Sequence, residues 1–139
     1  MNRRQTLVAL VAMGAAAASG ASRAQQQGRI WRVGFLSLTS ASLGSKNADA
    51  FRKGMREQGY AEGRNLAIEW RYAEGRAERL PGLAAELVQL KVDVIVAASS
   101  SPIAAAQKAT GTIPIVIARS ADPVAGGFVK SLARPGGNI

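Results

Sequence analysis

A run of apolar, mostly β-branched residues at positions 92–98 constrains the fold more than any other feature of this chain. It reads VDVIVAA, and a near-continuous run of this kind is typical of a parallel strand covered on both faces. Ser101 and Pro102 follow it, an N-cap and first-turn pair that predicts a helix over residues 102–109. Because parallel strands need a crossover connection, the run favours an α/β protein.

The rest of the chain alternates between strand and helix patterns. The other strands are predicted at residues 30–38, 66–72 and 113–118. The other helices are predicted at residues 47–58 and 80–90, with a loop of small residues at 39–45. The order βαβαβαβ predicts a parallel sheet with right-handed crossovers and helices on both faces, in a flavodoxin-like or Rossmann-like topology.

Periodicity supports two of these segments in particular. Residues 66–72 read LAIEWRY and alternate between apolar and mostly polar positions, as a strand with one buried face does. Ala48, Phe51 and Met55 share one face of the helix at 47–58, which Gly59 is expected to end. Near the end of the sequence, Asp122 and Pro123 predict a capped start to a short segment at 128–132.

The N-terminal residues have the three-part pattern of a secretory signal peptide. Arg3 and Arg4 precede an uncharged run at residues 7–18, and Ser22 and Ala24 place small residues at the −3 and −1 positions of a cleavage site before Gln25. The run is too short to span a bilayer, which needs about 20 residues. We therefore expect a signal peptide over 1–24 cleaved after Ala24, a leader and strand start over 25–31, and a periplasmic protein without stable membrane insertion. Both the general and the twin-arginine export routes remain open.

The composition excludes several kinds of chemistry. The chain has no Cys and no His, so it can form no disulfide, Cys/His metal site, thiol nucleophile or histidine base. Its 18 Lys and Arg outnumber 9 Asp and Glu, but the two signs are interspersed, which indicates a solvated surface and not a nucleic-acid stripe. No phosphate-binding glycine motif follows a strand. We expect no cofactor and no nucleic-acid partner.

Ligands of parallel α/β sheets bind at the carboxyl ends of the strands, which here are residues 39–42, 98–101 and 119–122. The serines at 99–101 precede a helix, whose free N–H groups and dipole favour an anion; alternatively, Ser101 only caps that helix. Arg119 could pair with a ligand carboxylate or form a surface ion pair. Asp122 could accept from a ligand ammonium or serve as a cap.

Several stretches of the sequence resemble a known family. They are GYAEGRN at 59–65, EWRYAEG at 69–75, RLP at 79–81, LAAELV at 83–88, KVDVIV at 91–96, TIPIV at 112–116, DPV at 122–124 and SLARPGGN at 131–138. Together they make residues 32–139 similar to the ABC transporter substrate-binding proteins with a type I periplasmic-binding fold. The likeness agrees with the signal peptide, which was derived independently.

The resemblance implies two α/β lobes that close on a small molecule, such as an amino acid or a similar carboxylate, and deliver it to an ABC permease in the inner membrane without catalysis. Residues 32–139 would be the N-terminal lobe, truncated before the second. The family pattern places the ligand against the loops after the first, third and fourth strands, which implies as contacts Thr39, Ser40, Ser42, Ser99, Ser100, Ser101, Ser120 and Asp122.

This sequence departs from the family pattern at Arg119 and Ser120, where the resemblance implies smaller, apolar residues. A second hypothesis is an exported flavodoxin-like sensor or enzyme domain with an unidentified ligand. An enzyme needs a titratable pair or a phosphate loop at the strand ends. The only ionisable groups predicted at that edge are Arg119 and Asp122, which favours the binding protein.

Overall fold

The structure, a computed structural model, describes residues 28–120 and 122–139. The predicted signal peptide therefore lies outside the described residues. The chain divides into two units, Met1–Ile30 and Trp31–Ile139. Of the first unit only residues 28–30 are described, and they are exposed. Within the described part of the chain, no helix combines the length and the apolar character that a membrane span requires.

The second unit contains four strands and three helices in strict alternation. The strands are β1 (Trp31–Ser37), β2 (Leu66–Tyr72), β3 (Val94–Ala98) and β4 (Ile115–Arg119). The helices are α1 (Ala41–Glu57), α2 (Leu80–Gln89, preceded by a 3-10 turn at Ala77–Arg79) and α3 (Ser100–Ala109). All paired strands are parallel, in the order β2-β1-β3-β4. The predicted α/β class, the element order and the interior position of β3 are confirmed.

The sheet has a packed layer on each face because successive residues of a strand point to opposite sides. Leu36 and Ile95 face one side, where α2 and α3 supply Leu87 and Ile103 to the larger cluster of buried residues. The neighbouring strand positions, among them Phe35, face the other side and pack against α1. Helices thus cover both faces, as the alternation of patterns predicted.

A glycine in β1 allows α2 to lie close to the sheet. A Cβ atom at Gly34 would lie 2.9 Å from both terminal methyl carbons of Leu87, closer than such atoms normally approach. Leu87 is itself fully buried. Any larger residue at position 34 would therefore have to displace the most deeply packed side chain of α2.

The first helix begins six residues earlier than predicted, so the expected loop at 39–45 was wrong. Ser40 is the N-cap of α1, and its Oγ accepts a hydrogen bond from the backbone N–H of Leu43 at 3.2 Å. Gly44 then lies in the second turn, where an added Cβ would be 3.0 Å from the ring of Tyr72. The small residues that suggested a loop instead allow the helix to approach the end of β2.

The predicted start of the third helix was also wrong. Its N-cap is Ser99, whereas Ser101 and Pro102 lie inside the first turn of α3. The N–H of Ser99 extends the sheet by donating to the carbonyl oxygen of Arg119 at 3.1 Å. The carbonyl oxygen of Ser99 already accepts from the N–H of Ile103 at 3.2 Å. The strand therefore passes into the helix at one residue, and no separate loop is needed.

The region after β4 contains turns where a short segment at 128–132 was expected. The cap itself is present: Asp122 Oδ1 accepts from the N–H groups of Val124 and Ala125 at 3.0 and 2.9 Å. Asn138 then ties the C-terminal residues to the start of β4, because its amide donates to the carbonyl oxygens of Thr110 and Ile113.

Candidate functional site

The carboxyl ends of the four strands form one continuous row. Ser37 is in register with Tyr72 on one side and with Ala98 on the other, and Ala98 is in register with Arg119. All four positions end parallel strands, so they lie at the same edge of the sheet. This is the edge at which open α/β sheets bind their ligands.

A cavity of about 550 Å³ opens at this edge, between the sheet and the first turns of α1. Its size is within the usual range for small-molecule sites. The residues that line it are Phe35, Ser37, Leu38, Thr39, Gly44, Asn47, Ala50, Phe51, Tyr72, Gly75, Ala98, Ser99, Ala118 and Arg119. The lining is mostly apolar, with a few polar groups and a single cationic side chain.

Aromatic rings form one wall of the cavity. The centroids of Phe35 and Phe51 are 5.5 Å apart with the rings edge to face. Behind them, Trp70 lies 4.8 Å from Phe35 and is stacked on Tyr72 at 6.1 Å with nearly parallel planes. Such contacts hold each ring against its neighbours. The wall is therefore a fixed apolar surface against which a flat or hydrocarbon group can pack.

Tyr72 brings a neutral polar group to this wall. Its burial raises the pKa of the phenol above the ordinary value of 10.0; the nearby Arg52 opposes this shift, whereas Asp49 adds to it. The hydroxyl consequently keeps its proton at physiological pH. It can donate a hydrogen bond as well as accept one.

Four further polar side chains in the cavity, those of Ser37, Thr39, Asn47 and Ser99, make no hydrogen bond to a described residue. Ser37 is only 5% exposed, Thr39 and Ser99 are half-buried, and Asn47 is exposed. These groups are available to a molecule that enters the cavity.

Ser99 has an unusual backbone conformation. Its φ of 99° and ψ of 167° lie in a region that residues other than glycine rarely adopt. Strain of this kind costs about 1–3 kcal/mol and persists where the surrounding structure enforces it. Here the sheet on one side and α3 on the other hold the residue in place, which directs the backbone sharply into the helix at the cavity.

The N-termini of α1 and α3 differ in whether side chains accept hydrogen bonds from their first backbone N–H groups. At α1, Ser40 caps the helix and the Glu74 carboxylate lies 3.5 Å from the N–H of Ala41. At α3, the Ser99 side chain makes no capping hydrogen bond. The first N–H groups of a helix have no partner within it. Of the two, the start of α3 is therefore the place where an anion would find free donors.

The predicted contact residues fall into two groups. Thr39 and Ser99 line the cavity. The others lie beside it in structural positions: Ser40 and Ser42 begin α1, with hydroxyl oxygens 3.1 Å apart, and Ser100 and Ser101 form the first turn of α3. That these residues contact the ligand remains a prediction.

The remaining two predicted contacts follow β4. Ser120 is the first residue after that strand, and Asp122 uses a carboxylate oxygen to cap the turn beyond it. The sequence suggested two roles for Asp122. The contacts made by its carboxylate are those of a cap. Arg119 makes no ion pair with any described residue, so the surface ion pair suggested as its alternative role is not formed there.

Sequence reasoning missed Ser37, Asn47 and Tyr72 as cavity residues. Ser37 and Tyr72 are the final residues of β1 and β2, so the rule that ligands bind at strand ends could have found both. Tyr72 was instead included only in the strand predicted at residues 66–72, one face of which was expected to be buried. Asn47 could not be found because the start of α1 was placed too late. Among the described residues, no cluster of three or more potential metal-ligating side chains occurs.

The fold and this cavity define an α/β domain with a cavity of small-molecule size at the carboxyl edge of its sheet, and the sequence comparison identifies the family. The sequence model of the ABC transporter substrate binding proteins matches residues 36–139. The chain belongs to this family, which confirms the resemblance.

Individual relatives agree with that assignment. A tyrosine-binding protein of Clostridioides difficile is 35% identical over 107 residues, which make up 77% of this chain and 31% of that protein. A ligand-free, open structure of a substrate-binding protein with adhesive properties, from Clostridium difficile, matches with 31% identity and a TM-score of 0.73 over 79% of this chain and 37% of the other.

Two further structures share the fold. A conserved domain protein of Vibrio cholerae has a TM-score of 0.74 and 29% identity, covering 80% of this chain and 38% of that protein. An ABC domain from Streptococcus pneumonia in complex with L-Trp has a TM-score of 0.73 at 24% identity, with 79% and 37% covered. The chain thus spans about a third of the length of the relatives it matches.

Proposed function

We infer that this chain is the ligand-capturing N-terminal lobe of an exported, two-lobed solute-binding protein that delivers its ligand to an ABC permease in the inner membrane. The observation that carries the proposal is the cavity at the carboxyl edge of the sheet, where Ser37, Asn47 and Ser99 have unused polar groups. These side chains can bind a molecule. They contain no pair of titratable groups of the kind that acid–base catalysis needs, which supports binding without catalysis.

We propose that the ligand is an amino acid or a similar small carboxylate. The uncapped start of α3 offers N–H donors and hydroxyl groups to an anion, and the aromatic wall offers an apolar surface to the rest of the molecule. The names of two relatives, one a tyrosine-binding protein and one solved with L-Trp, are consistent with this class.

Binding is tested by titrating the isotopically labelled chain with L-tyrosine and L-tryptophan while its amide NMR signals are recorded. We expect signals of Ser37, Tyr72 and Ser99 to shift. Replacing Ser99 or Ser100 with Ala should weaken binding roughly ten- to a hundredfold, because a charge-assisted hydrogen bond contributes about 1.5–3 kcal/mol. The melting temperature should stay the same, since Ser99 makes no capping bond through its side chain.

Ser45→Ala is the matched control, because Ser45 lies on the exposed surface of α1 outside the cavity. Its affinity should equal that of the unmodified chain. Unchanged binding in both Ser99→Ala and Ser100→Ala would remove those two hydroxyls from the contact set. If neither amino acid shifted any cavity signal, the proposed ligand class would be wrong.

Export is tested separately, by expressing the chain in a Gram-negative host and sequencing the N-terminus of the protein recovered from the periplasm. We expect it to begin at Gln25, because Ser22 and Ala24 supply small side chains at the −3 and −1 positions that signal peptidase reads. A lysine pair in place of Arg3 and Arg4 distinguishes the export routes, since the twin-arginine route reads the arginines as such. A protein that keeps Met1 and stays in the cytoplasm would contradict the proposal.

A further inference from the structure

The described residues that line the cavity carry positive charge and no negative charge. Among the described residues that line it, Arg119 is the only one with an ionised side chain at neutral pH, because Tyr72 keeps its proton. Arg119 stands at the end of the register row, beside Ala98 and Ser99. Its guanidinium has no ion-pair partner among those residues. A planar guanidinium in this state is suited to a carboxylate.

The acidic side chains nearest to the cavity have other partners. Asp49 pairs with Arg52 at 3.3 Å, Glu74 lies at the N-terminus of α1, and Asp122 caps the turn after β4. None of the three is part of the cavity lining. Among the described residues, the cavity lining therefore offers a cationic group to a ligand carboxylate and no carboxylate to a ligand ammonium.

The opposite end of the row is apolar and aromatic. Phe35, Phe51 and Tyr72 line the cavity there, and Tyr72 is separated from Arg119 by the two strands that end at Ser37 and Ala98. A molecule that spans the row would place its charged end near Arg119 and its hydrocarbon or aromatic end against the rings.

We propose that Arg119 is a specificity-determining residue that selects aromatic or aryl-alkyl monocarboxylates lacking an α-ammonium over the corresponding amino acids. This inference rests on the proposed function and narrows its ligand class. A zwitterion would bring its ammonium close to the guanidinium, and none of the described residues that line the cavity has an acidic side chain to offset the repulsion. A monoanion meets the same site with attraction only.

Three probes that share a 4-hydroxyphenylethyl skeleton and differ in the charged groups attached to it test the inference: desaminotyrosine, an anion; L-tyrosine, a zwitterion; and tyramine, a cation. Their affinities for the purified chain are measured by amide NMR titration. We expect desaminotyrosine to bind about two- to fivefold more tightly than tyrosine, which is the range of an exposed ion pair, and tyramine to bind most weakly. Added salt should weaken desaminotyrosine most.

The decisive variant is Arg119→Glu, which should weaken desaminotyrosine about tenfold or more and make tyramine the tighter ligand of the two. Arg134→Glu is the control with the same change in net charge, because Arg134 is exposed and lies outside the cavity lining; it should leave the order unchanged. Melting temperatures establish that both variants fold, which is expected because both arginines are exposed.

The outcomes separate the two proposals. If tyrosine binds as tightly as desaminotyrosine, or if Arg119→Glu leaves the order of the three probes unchanged, the inference is overturned and the solute-binding function stands. If none of the probes shifts a cavity signal, both are overturned. An equal effect of Arg134→Glu would mean that net charge, and not Arg119, governs selectivity, which also overturns the inference.

Discussion

Leu87→Ala is expected to lower the free energy of unfolding by about 2–5 kcal/mol, the range for truncating a large buried aliphatic side chain. Leu87 is 0% exposed and lies between α2 and the sheet. Its removal loses apolar burial and leaves a cavity that the close-packed sheet can fill only in part. Urea unfolding followed by circular dichroism measures the effect. Leu132→Ala is the control, because that side chain is 76% exposed and should change stability by less than about 0.5 kcal/mol.

Gly34→Ala identifies the cause of this tight packing. Because the added Cβ would lie 2.9 Å from the Leu87 methyl carbons, we expect Gly34→Ala to destabilise the unmodified chain by about 1–3 kcal/mol. In the Leu87→Ala background the same change should cost much less. A double-mutant cycle measures the difference. Equal costs in both backgrounds would mean that Leu87 does not limit the size of residue 34.

Ser99→Gly is expected to relieve backbone strain at the cavity. Glycine adopts a φ of 99° without a steric penalty, so the change should recover about 1–3 kcal/mol, less the roughly 0.4–1 kcal/mol that the more flexible unfolded chain costs. The observable result is a free energy of unfolding equal to or above that of the unmodified chain. Glycine substitutions at ordinary positions lower it.

Ser100→Gly and Ser99→Ala are the matched controls. Ser100 is a helical residue of the first turn of α3, so glycine there should destabilise the chain by about 0.5–1 kcal/mol. Ser99→Ala keeps the Cβ atom and with it the strain, and it removes a hydroxyl that makes no capping bond, so its stability should match that of serine. If glycine destabilised positions 99 and 100 equally, Ser99 would not be strained.

Local patterns were enough to predict the architecture. The period of two in Leu66–Tyr72 gave the bounds of β2 correctly, and the apolar run at 92–98 correctly indicated a strand inside the sheet. Such signals reside in neighbouring residues, because burial on one or both faces of a strand repeats along the chain itself. The family could also be recognised from the sequence, since its matching stretches are dense over residues 36–139.

The starts of α1 and α3 could not be decided in this way. Ser40, Ser42 and Ser45 all precede helix-forming residues, and so do the three serines at 99–101, so several caps satisfy the same local rule. Contacts between residues far apart in the sequence determine which of these serines is the cap. Gly44 has to meet Tyr72 at the end of β2, and the N–H of Ser99 has to reach the carbonyl oxygen of Arg119 on β4.

By itself, then, the sequence determined the α/β class and the order of the elements, and it predicted a ligand site at the carboxyl edge of the sheet. Only the tertiary structure decided which side chains meet at that edge. Tyr72, Ser37, Ala98 and Arg119 come from four separate strands and form one row because of the sheet register. Register depends on how both faces of the whole sheet pack against the helices, and no local stretch of sequence contains that information.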